Sequence, residues 1–325
     1  MKIRLLNETN IRAVAPALTE IVSLVEQAYR LDADGKAEVP TKIGVHPARA
    51  NTFLHAMPAW VGGSPASLGM KWVSYFPGNF DRGLPDSTGI IILNDPDIGL
   101  PCCIMEGMYV TFIRTAACAA VAAKYLAPRP PKTLGLIGCG GLGLWSLRVF
   151  TANFPTIERV LVSSRTAKSR QAFCEKMSQE VKAKIVPVDD PSDAVRDADI
   201  VITSIPPGDI RPVSGKAVRP GALIIPLDLV NSWQDDVLAA VDGVAADNPP
   251  HFAAQVEAKR ATAFPALKQA VRIQDLVAGT SPRAAASARH IVAVCGIAST
   301  DVVVGWEIYR RAQVANAGLE FDMLG

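Results

Sequence analysis

The chain has 325 residues and a net charge of +2, from 33 basic and 31 acidic side chains. Apolar residues make up 49% and charged residues 20%, which excludes a disordered chain and fits an α/β protein of two domains, or one large one. The charges are scattered, so there is no electrostatic footprint for nucleic acid or an anionic membrane, and no apolar run approaches the ~18 residues of a membrane span.

The first ten residues turn polar at Asn7, before any apolar core forms, so no signal peptide is expected. Residues 8–31 read as one amphipathic helix, with Ile21, Leu24, Val25, Ala28 and Tyr29 at helical spacing. Residues 33–85, rich in Gly, Pro, Asn and Asp, read as short strands and loops. Residues 87–106 predict a hairpin across the turn Asn94–Gly99, with no obvious partner sheet in its own segment. An alanine-rich helix is expected over Thr111–Leu126, stopped by Ala127-Pro128-Arg129-Pro130-Pro131. From Lys132 the pattern alternates. Strands are predicted at Leu134–Gly138, Arg159–Ser163, Lys184–Val188, Ile200–Ile205, Ala222–Asp228 and Gly243–Asp247, with helical stretches between several of them, so βαβ units and a parallel sheet follow. A last helix spans Thr300–Asn316, with Val302, Trp306 and Tyr309 on one face and Gly318 as its C-cap.

The six cysteines form no C-x-x-C pair, and with four histidines no zinc spacing appears. Reduced thiols in a cytoplasmic enzyme, without a metal, are expected.

The run Leu134–Ile137 leads into Gly138-Cys139-Gly140-Gly141-Leu142-Gly143 and then a helical stretch. A G-x-G-x-x-G between a strand and a helix is the context for dinucleotide binding. Gly138 permits the tight turn, Gly140 lets the backbone approach a pyrophosphate, and Gly143 allows close helix–strand packing. The alternative is a glycine-rich turn without a ligand. The second strand ends in Ser163-Ser164-Arg165-Thr166-Ala167-Lys168, with no acid to hold a ribose 2′-hydroxyl. Ser164, Arg165, Thr166 and Lys168 could instead donate to a 2′-phosphate, favouring NADP(H) with NAD(H) possible; the alternative is a solvated basic turn.

Four motifs in order carry a resemblance: Ala56-Met57-Pro58-Ala59 with Gly69-Met70-Lys71-Trp72-Val73-Ser74 and Pro77-Gly78-Asn79; the hairpin Gly89–Pro101 with Ile113-Arg114-Thr115-Ala116-Ala117; the glycine loop; and Val294-Cys295-Gly296-Ile297-Ala298-Ser299-Thr300-Asp301. In this combination the chain resembles the ornithine cyclodeaminase/μ-crystallin family over nearly its whole length. The resemblance implies a Rossmann doubly wound sheet (114–299) inserted into a smaller α+β substrate and dimerisation domain (1–113 with 300–325), and a homodimer. It implies that Lys71 and Arg114 hold a substrate carboxylate, that Asp228 is the catalytic aspartate, and that Gly138, Gly140, Gly141, Leu142, Gly143 and Thr115 serve the cofactor. Lys42 and His55 stand where the cyclodeaminases have an arginine and a glutamate. That departure speaks against ornithine cyclisation and brings the chain nearer the alanine dehydrogenase branch.

The chemistry agrees. Hydride transfer at the α-carbon of an amino acid needs a fixed carboxylate, and Lys71, Arg114 and Lys42 could clamp one. Arg114 is placed in the first turn of its helix, where an anion is favoured. Read without the family, Arg114 could be a surface residue, Lys71 a snorkelling strand residue, Asp228 an N-cap, and His55 a pocket residue or a polar residue near a turn. The leading reading is an NAD(P)H-dependent oxidoreductase on a small α-imino or α-amino acid. A cyclodeaminase and a μ-crystallin-like binding protein are the alternatives.

Overall fold

After strand β1 (Lys2–Leu6), the helical stretch over 8–31 is two helices rather than one: α1 (Glu8–Val14) and α2 (Leu18–Ala33). Pro16 separates them. It cannot donate an amide and forces Ala15 into the extended conformation, at φ −57° and ψ 141°. Asn7 and Asn10 cap α1 reciprocally, and α2 buries Ile21, Val22, Val25, Ala28 and Tyr29.

This computed structural model describes all residues except 48–50, 128, 129, 207, 209, 210, 261–266, 268, 282–284 and 286. Pro128 and Arg129 of the expected proline-rich stop lie outside the described residues. Two units are distinct: Met1–Arg114 with Ile297–Gly325, and Thr115–Gly296.

The chain continues through β2 (Ala37–Glu38), β3 (Ile43–Val45), β4 (Phe53–Val61), β5 (Ser67–Tyr75), β6 (Ser87–Asn94), β7 (Pro101–Glu106) and α3 (Met108–Leu126). β8 (Thr133–Ile137), α4 (Gly141–Asn153), β9 (Arg159–Ser163), α5 (Ala167–Ser178), β10 (Lys184–Pro187), α6 (Pro191–Arg196) and β11 (Ile200–Thr203) follow. Then come β12 (Leu223–Pro226), α7 (Asp236–Ala240), β13 (Gly243–Ala246), α8 (Pro249–Glu257), β14 (Val271–Arg272), α9 (Ile273–Ala278) and β15 (His290–Ala293). The second unit is a doubly wound Rossmann sheet, parallel throughout, in the order β10-β9-β8-β11-β12-β15-β13-β14. The order reverses between β8 and β11, so a crevice opens at the carboxyl ends of these strands.

The chain closes with α10 (Ala298–Val314) and β16 (Leu319–Asp322). The left-handed cap of α10 is Asn316 (φ 48°), not Gly318: Asn316 N donates to Gln313 O and Ala317 N to Ala312 O, a Schellman arrangement. Gly318 is required for a different reason, since a Cβ there would meet Leu5 O at 2.5 Å. The buried face of α10 holds Val302, Gly305, Ile308 and Ala312, whereas Trp306 and Tyr309 are only half-buried.

β16 and β1 extend the hairpin β6–β7 into a sheet ordered β16-β1-β7-β6-β5-β4-β2, with β3 also on β4, so the hairpin has its partner sheet within its own unit. Along β4–β7 the alternating residues Met57, Ala59, Lys71, Ile91, Leu93 and Met105 turn inward and are buried. The opposite face is also apolar, and Trp60, Trp72 and Ile90 on it are 39%, 41% and 38% exposed. Among the described residues no helix is long and apolar enough to cross a membrane.

Candidate active site

Lys71 lies in mid-β5, in register with Met57 of β4 and Ile91 of β6. The pleat sends Met70 and Trp72 to one face and the lysine to the other, where its side chain is 2% exposed. It is therefore a buried cation rather than a snorkelling one. Its Nζ lies 2.9 Å from Oδ1 and 2.8 Å from Oδ2 of Asp301, in the first turn of α10. Arg114 Nε donates to the same Oδ1 at 2.8 Å, and Arg114 is likewise buried, not a surface residue. α3 begins at Met108, because Glu106 accepts from the amides of Met108 and Tyr109 at 2.6 and 2.9 Å. Arg114 thus sits on the second turn, not the first, and the expected helix-dipole contribution falls away there.

Asp301 has no role in the sequence reading, although the signal was present: an acid in the first turn of an apolar helix, ending the C-terminal motif. Burial and then repulsion from Arg114 outweigh the attraction of Asp301 and push the Lys71 ammonium down to about 8, with Lys42 adding to the repulsion. Two buried cations share the one carboxylate of Asp301, so the cluster carries a surplus of positive charge that a further carboxylate would balance.

Lys42 is half-buried just before β3. His55 on β4 shares the inward face with Met57, which faces Lys71 in register. Its ring stacks on Phe53 at 4.2 Å and meets His46 edge-on at 5.7 Å. It also covers Gly44 of β3, where a Cβ would strike the imidazole.

In the second unit, Gly138 has φ 117°, and a Cβ on it would meet Ser204 O at 2.6 Å. A Cβ on Gly143 would strike the Gly138 carbonyl, so α4 leaves β8 backbone against backbone. At Gly140, the N-cap of α4, an added Cβ meets nothing within 4 Å, and no side chain caps the helix. The first amides of α4, from Gly141, Leu142 and Gly143, have no partner within the helix. Open space beside free helix amides fits a pyrophosphate.

In the turn after β9, one residue has a local partner that its spacing does not announce. Thr166 Oγ1 accepts from Ser169 N at 3.2 Å as the N-cap of α5, so Thr166 serves its own helix. The Ser164 hydroxyl donates to Thr166 O at 3.2 Å, while Arg165 and Lys168 are exposed. Arg170, one turn into α5, is buried, donates to Ser164 O at 3.1 Å and pairs with Asp189. A pocket beside this turn is lined by Lys168, Arg170, Gln171 and Asp189.

Asp228 follows β12 and is buried. It does not cap a helix, since α7 begins only at Asp236. Thr203 Oγ1 donates to its Oδ1 at 3.1 Å and Ile205 N to its Oδ2 at 3.4 Å. Burial raises its carboxyl above the usual range despite these bonds. Leu229 and Val230 follow at φ 52° and 60°. Left-handed conformations cost about 1–3 kcal/mol each for such residues and cluster at functional sites.

A parallel Rossmann sheet with a glycine turn, joined to a mixed sheet built from both ends of the chain, defines a class of dinucleotide-binding architecture. The chain belongs to the ornithine cyclodeaminase/mu-crystallin family, whose model matches residues 5–316. The nodulation efficiency protein NfeD of Rhizobium meliloti is 32% identical over 319 residues, covering 97% of each chain. The structure of Thermococcus litoralis Δ1-pyrroline-2-carboxylate reductase with NADH and L-proline matches with a TM-score of 0.89 over 98% of this chain and 99% of that one, at 24% identity. An archaeal alanine dehydrogenase dimer with bound NAD matches with a TM-score of 0.88 over 99% and 100%, at 26% identity.

Proposed function

We propose that the protein is an NAD(P)H-dependent oxidoreductase acting on the C–N bond of a small α-imino or α-amino acid, as a cyclic ketimine or imino acid reductase or an amino acid dehydrogenase. The observation that carries this reading is the buried cluster Lys71–Arg114–Asp301, in which two cations share one carboxylate, a surplus of positive charge that calls for a second carboxylate. Lys71 and Arg114 hold the substrate carboxylate, and Lys42 and His55 line the same pocket. Asp228, whose carboxyl burial raises above the usual range, handles the proton at the substrate nitrogen.

Gly138, Gly140, Gly141, Leu142 and Gly143, with Thr115, would hold the dinucleotide. When bound, its nicotinamide supplies or accepts the hydride at the α-carbon. The acid-free turn with Ser164, Arg165 and Lys168 favours NADP(H) over NAD(H), and Arg170 adds a cation to it. A homodimer through the exposed apolar face of β4–β6 goes with this reading. So does a cytoplasmic location, because no disulfide joins any two of the six cysteines.

The test is a panel of NADPH and NADH oxidation assays with pyrroline-2-carboxylate, piperideine-2-carboxylate, and pyruvate with ammonia or methylamine. Ammonia release from ornithine and lysine is run beside it. Turnover on an imine with stoichiometric cofactor consumption supports the reading. Ammonia release from ornithine without added stoichiometric cofactor makes the protein a cyclodeaminase instead. Cofactor binding with no turnover on any substrate leaves a binding protein.

A further inference from the structure

The turn that carries Asp228 is held by a buried arginine just beyond α8. Arg260 Nη2 donates to Val230 O at 2.6 Å and to Trp233 O at 2.8 Å, while Nη1 donates to Asp235 Oδ1 at 2.6 Å. These acceptors belong to the segment in which Leu229 and Val230 are left-handed. From the same segment a polar chain runs to the carboxylate. The fully buried Trp233 donates its indole N–H to Thr203 Oγ1 at 3.2 Å, and the Thr203 hydroxyl donates to Asp228 Oδ1 at 3.1 Å. Arg211 shares Asp235 at 2.5 Å, and Lys259 donates to Asn231 Oδ1 at 3.3 Å. The charges of Lys259 and Arg260 both act on Asp228.

Burying a guanidinium is costly, and an apolar side chain would fill this space at lower cost. An apolar side chain could not satisfy the two carbonyls that the left-handed turn directs inward. The turn itself reverses the chain directly after β12, which leaves Asp228 at the carboxyl end of the sheet.

We propose that Arg260 is the positioning residue for Asp228: it locks the left-handed turn Leu229–Val230 and, through Trp233 and Thr203, fixes the direction of the Asp228 carboxylate. This rests on the reading that Asp228 handles the nitrogen proton, and two readouts keep the two ideas apart.

The first readout needs no cofactor. The indole ¹⁵N–¹H resonance of Trp233, assigned with Trp233→Phe, is followed against pH in the cofactor-free protein. It should titrate with Asp228, and Asp228→Asn should abolish that titration. Arg260→Gln should raise its midpoint, because a cation near the carboxylate is lost, and Arg260→Lys should restore most of it. The second readout is kinetic. Arg260→Gln should lower kcat at least tenfold with the cofactor KM within twofold, and the double variant with Asp228→Asn should be no slower than Asp228→Asn alone. An unchanged indole titration in a folded Arg260→Gln protein, or kcat losses that multiply in the double variant, overturns the proposal. If Asp228→Asn keeps normal kcat while the indole titration still follows Arg260, the catalytic reading of Asp228 fails and the positioning stands. If Arg260→Gln does not fold by circular dichroism, Arg260→Lys carries the kinetic readout: it keeps the charge but cannot reach Val230, Trp233 and Asp235 together, so kcat should still fall, and a wild-type kcat then overturns the proposal.

Discussion

Asp301 Oδ2 stands 2.8 Å from Lys71 Nζ, with the side chains 0% and 2% exposed, although the residues lie 230 positions apart. The same carboxylate accepts from Arg114 at 2.8 Å, so one buried anion organises two cations brought from β5 and α3. Replacing Asp301 by Asn keeps the shape and removes the charge. Two buried cations then repel without compensation, a change that should cost about 3–5 kcal/mol of stability. Urea denaturation reads this loss. A variant within about 1 kcal/mol of wild type would show that Asp301 contributes little to the cluster.

The depressed Lys71 gives stability a definite pH dependence. At pH values below about 8 the lysine is charged in both folded and unfolded chains, and the buried charge weighs against the fold. Between about 8 and 10.5 the folded chain has released this proton and the unfolded chain has not, so stability contributed by this group rises with pH. Across the window the gain is about 3 kcal/mol. Lys71→Met should flatten that part of the profile in urea melts at pH 7.5 and 9.5. An identical slope in both proteins would contradict the assignment.

Arg114 and Asp228 should fail in different ways. Arg114→Ala removes a charge-assisted contact with the substrate carboxylate, so KM should rise strongly, by roughly 2–5 kcal/mol in binding terms. Asp228→Asn removes the proton-handling group and should lower kcat by roughly 100-fold with a smaller change in KM. Steady-state kinetics on the best imine substrate separates them, and a near-normal kcat in Asp228→Asn would remove this aspartate from the mechanism.

For the cofactor, Arg165→Ala should raise the KM for NADPH far more than that for NADH. Arg170→Gln leaves Ser164 O and Asp189 without their partner and should perturb both cofactors. A wild-type enzyme preferring NADH, or equal effects of Arg165→Ala on both, would overturn the preference.

Trp72 is apolar, 41% exposed, and directed away from Lys71 on β5. If the outer face of the sheet joins two copies, Trp72→Glu should yield a monomer by light scattering at micromolar concentration while the fold survives. A wild-type monomer with full activity would discard the dimer.

Much of the second unit was legible in the sequence because its elements carry local periodicities. β9 was read to the residue, and the strand–glycine–helix turn was readable because each glycine answers a local steric demand. β14 and β15 were not foreseen: β14 has only two residues, too few for a period to register, whereas β15 is as long as β10 to β13, which the sequence did predict. β1 and β16 pair with each other from opposite ends of the chain, and no local pattern announces such a partner. The break at Pro16 was readable, but the apolar spacing of 21–29 masked it.

By itself, the sequence determined the alternating α/β architecture, the glycine turn and the acid-free turn after β9, and its motifs marked Lys71, Arg114 and Asp228 as candidates. These depend on spacing and residue type over a few positions, which the chain states directly. Only the tertiary structure decided that Lys71 is buried against Asp301 and that Arg114 lies beyond the dipole of its helix. Only there, too, does Thr166 appear as a cap, and Arg260 as the grip on the Asp228 turn. The energy of a buried charge depends on which opposite charge the fold brings within about 3 Å and how much water it excludes, and neither is written in the spacing of neighbours along the chain.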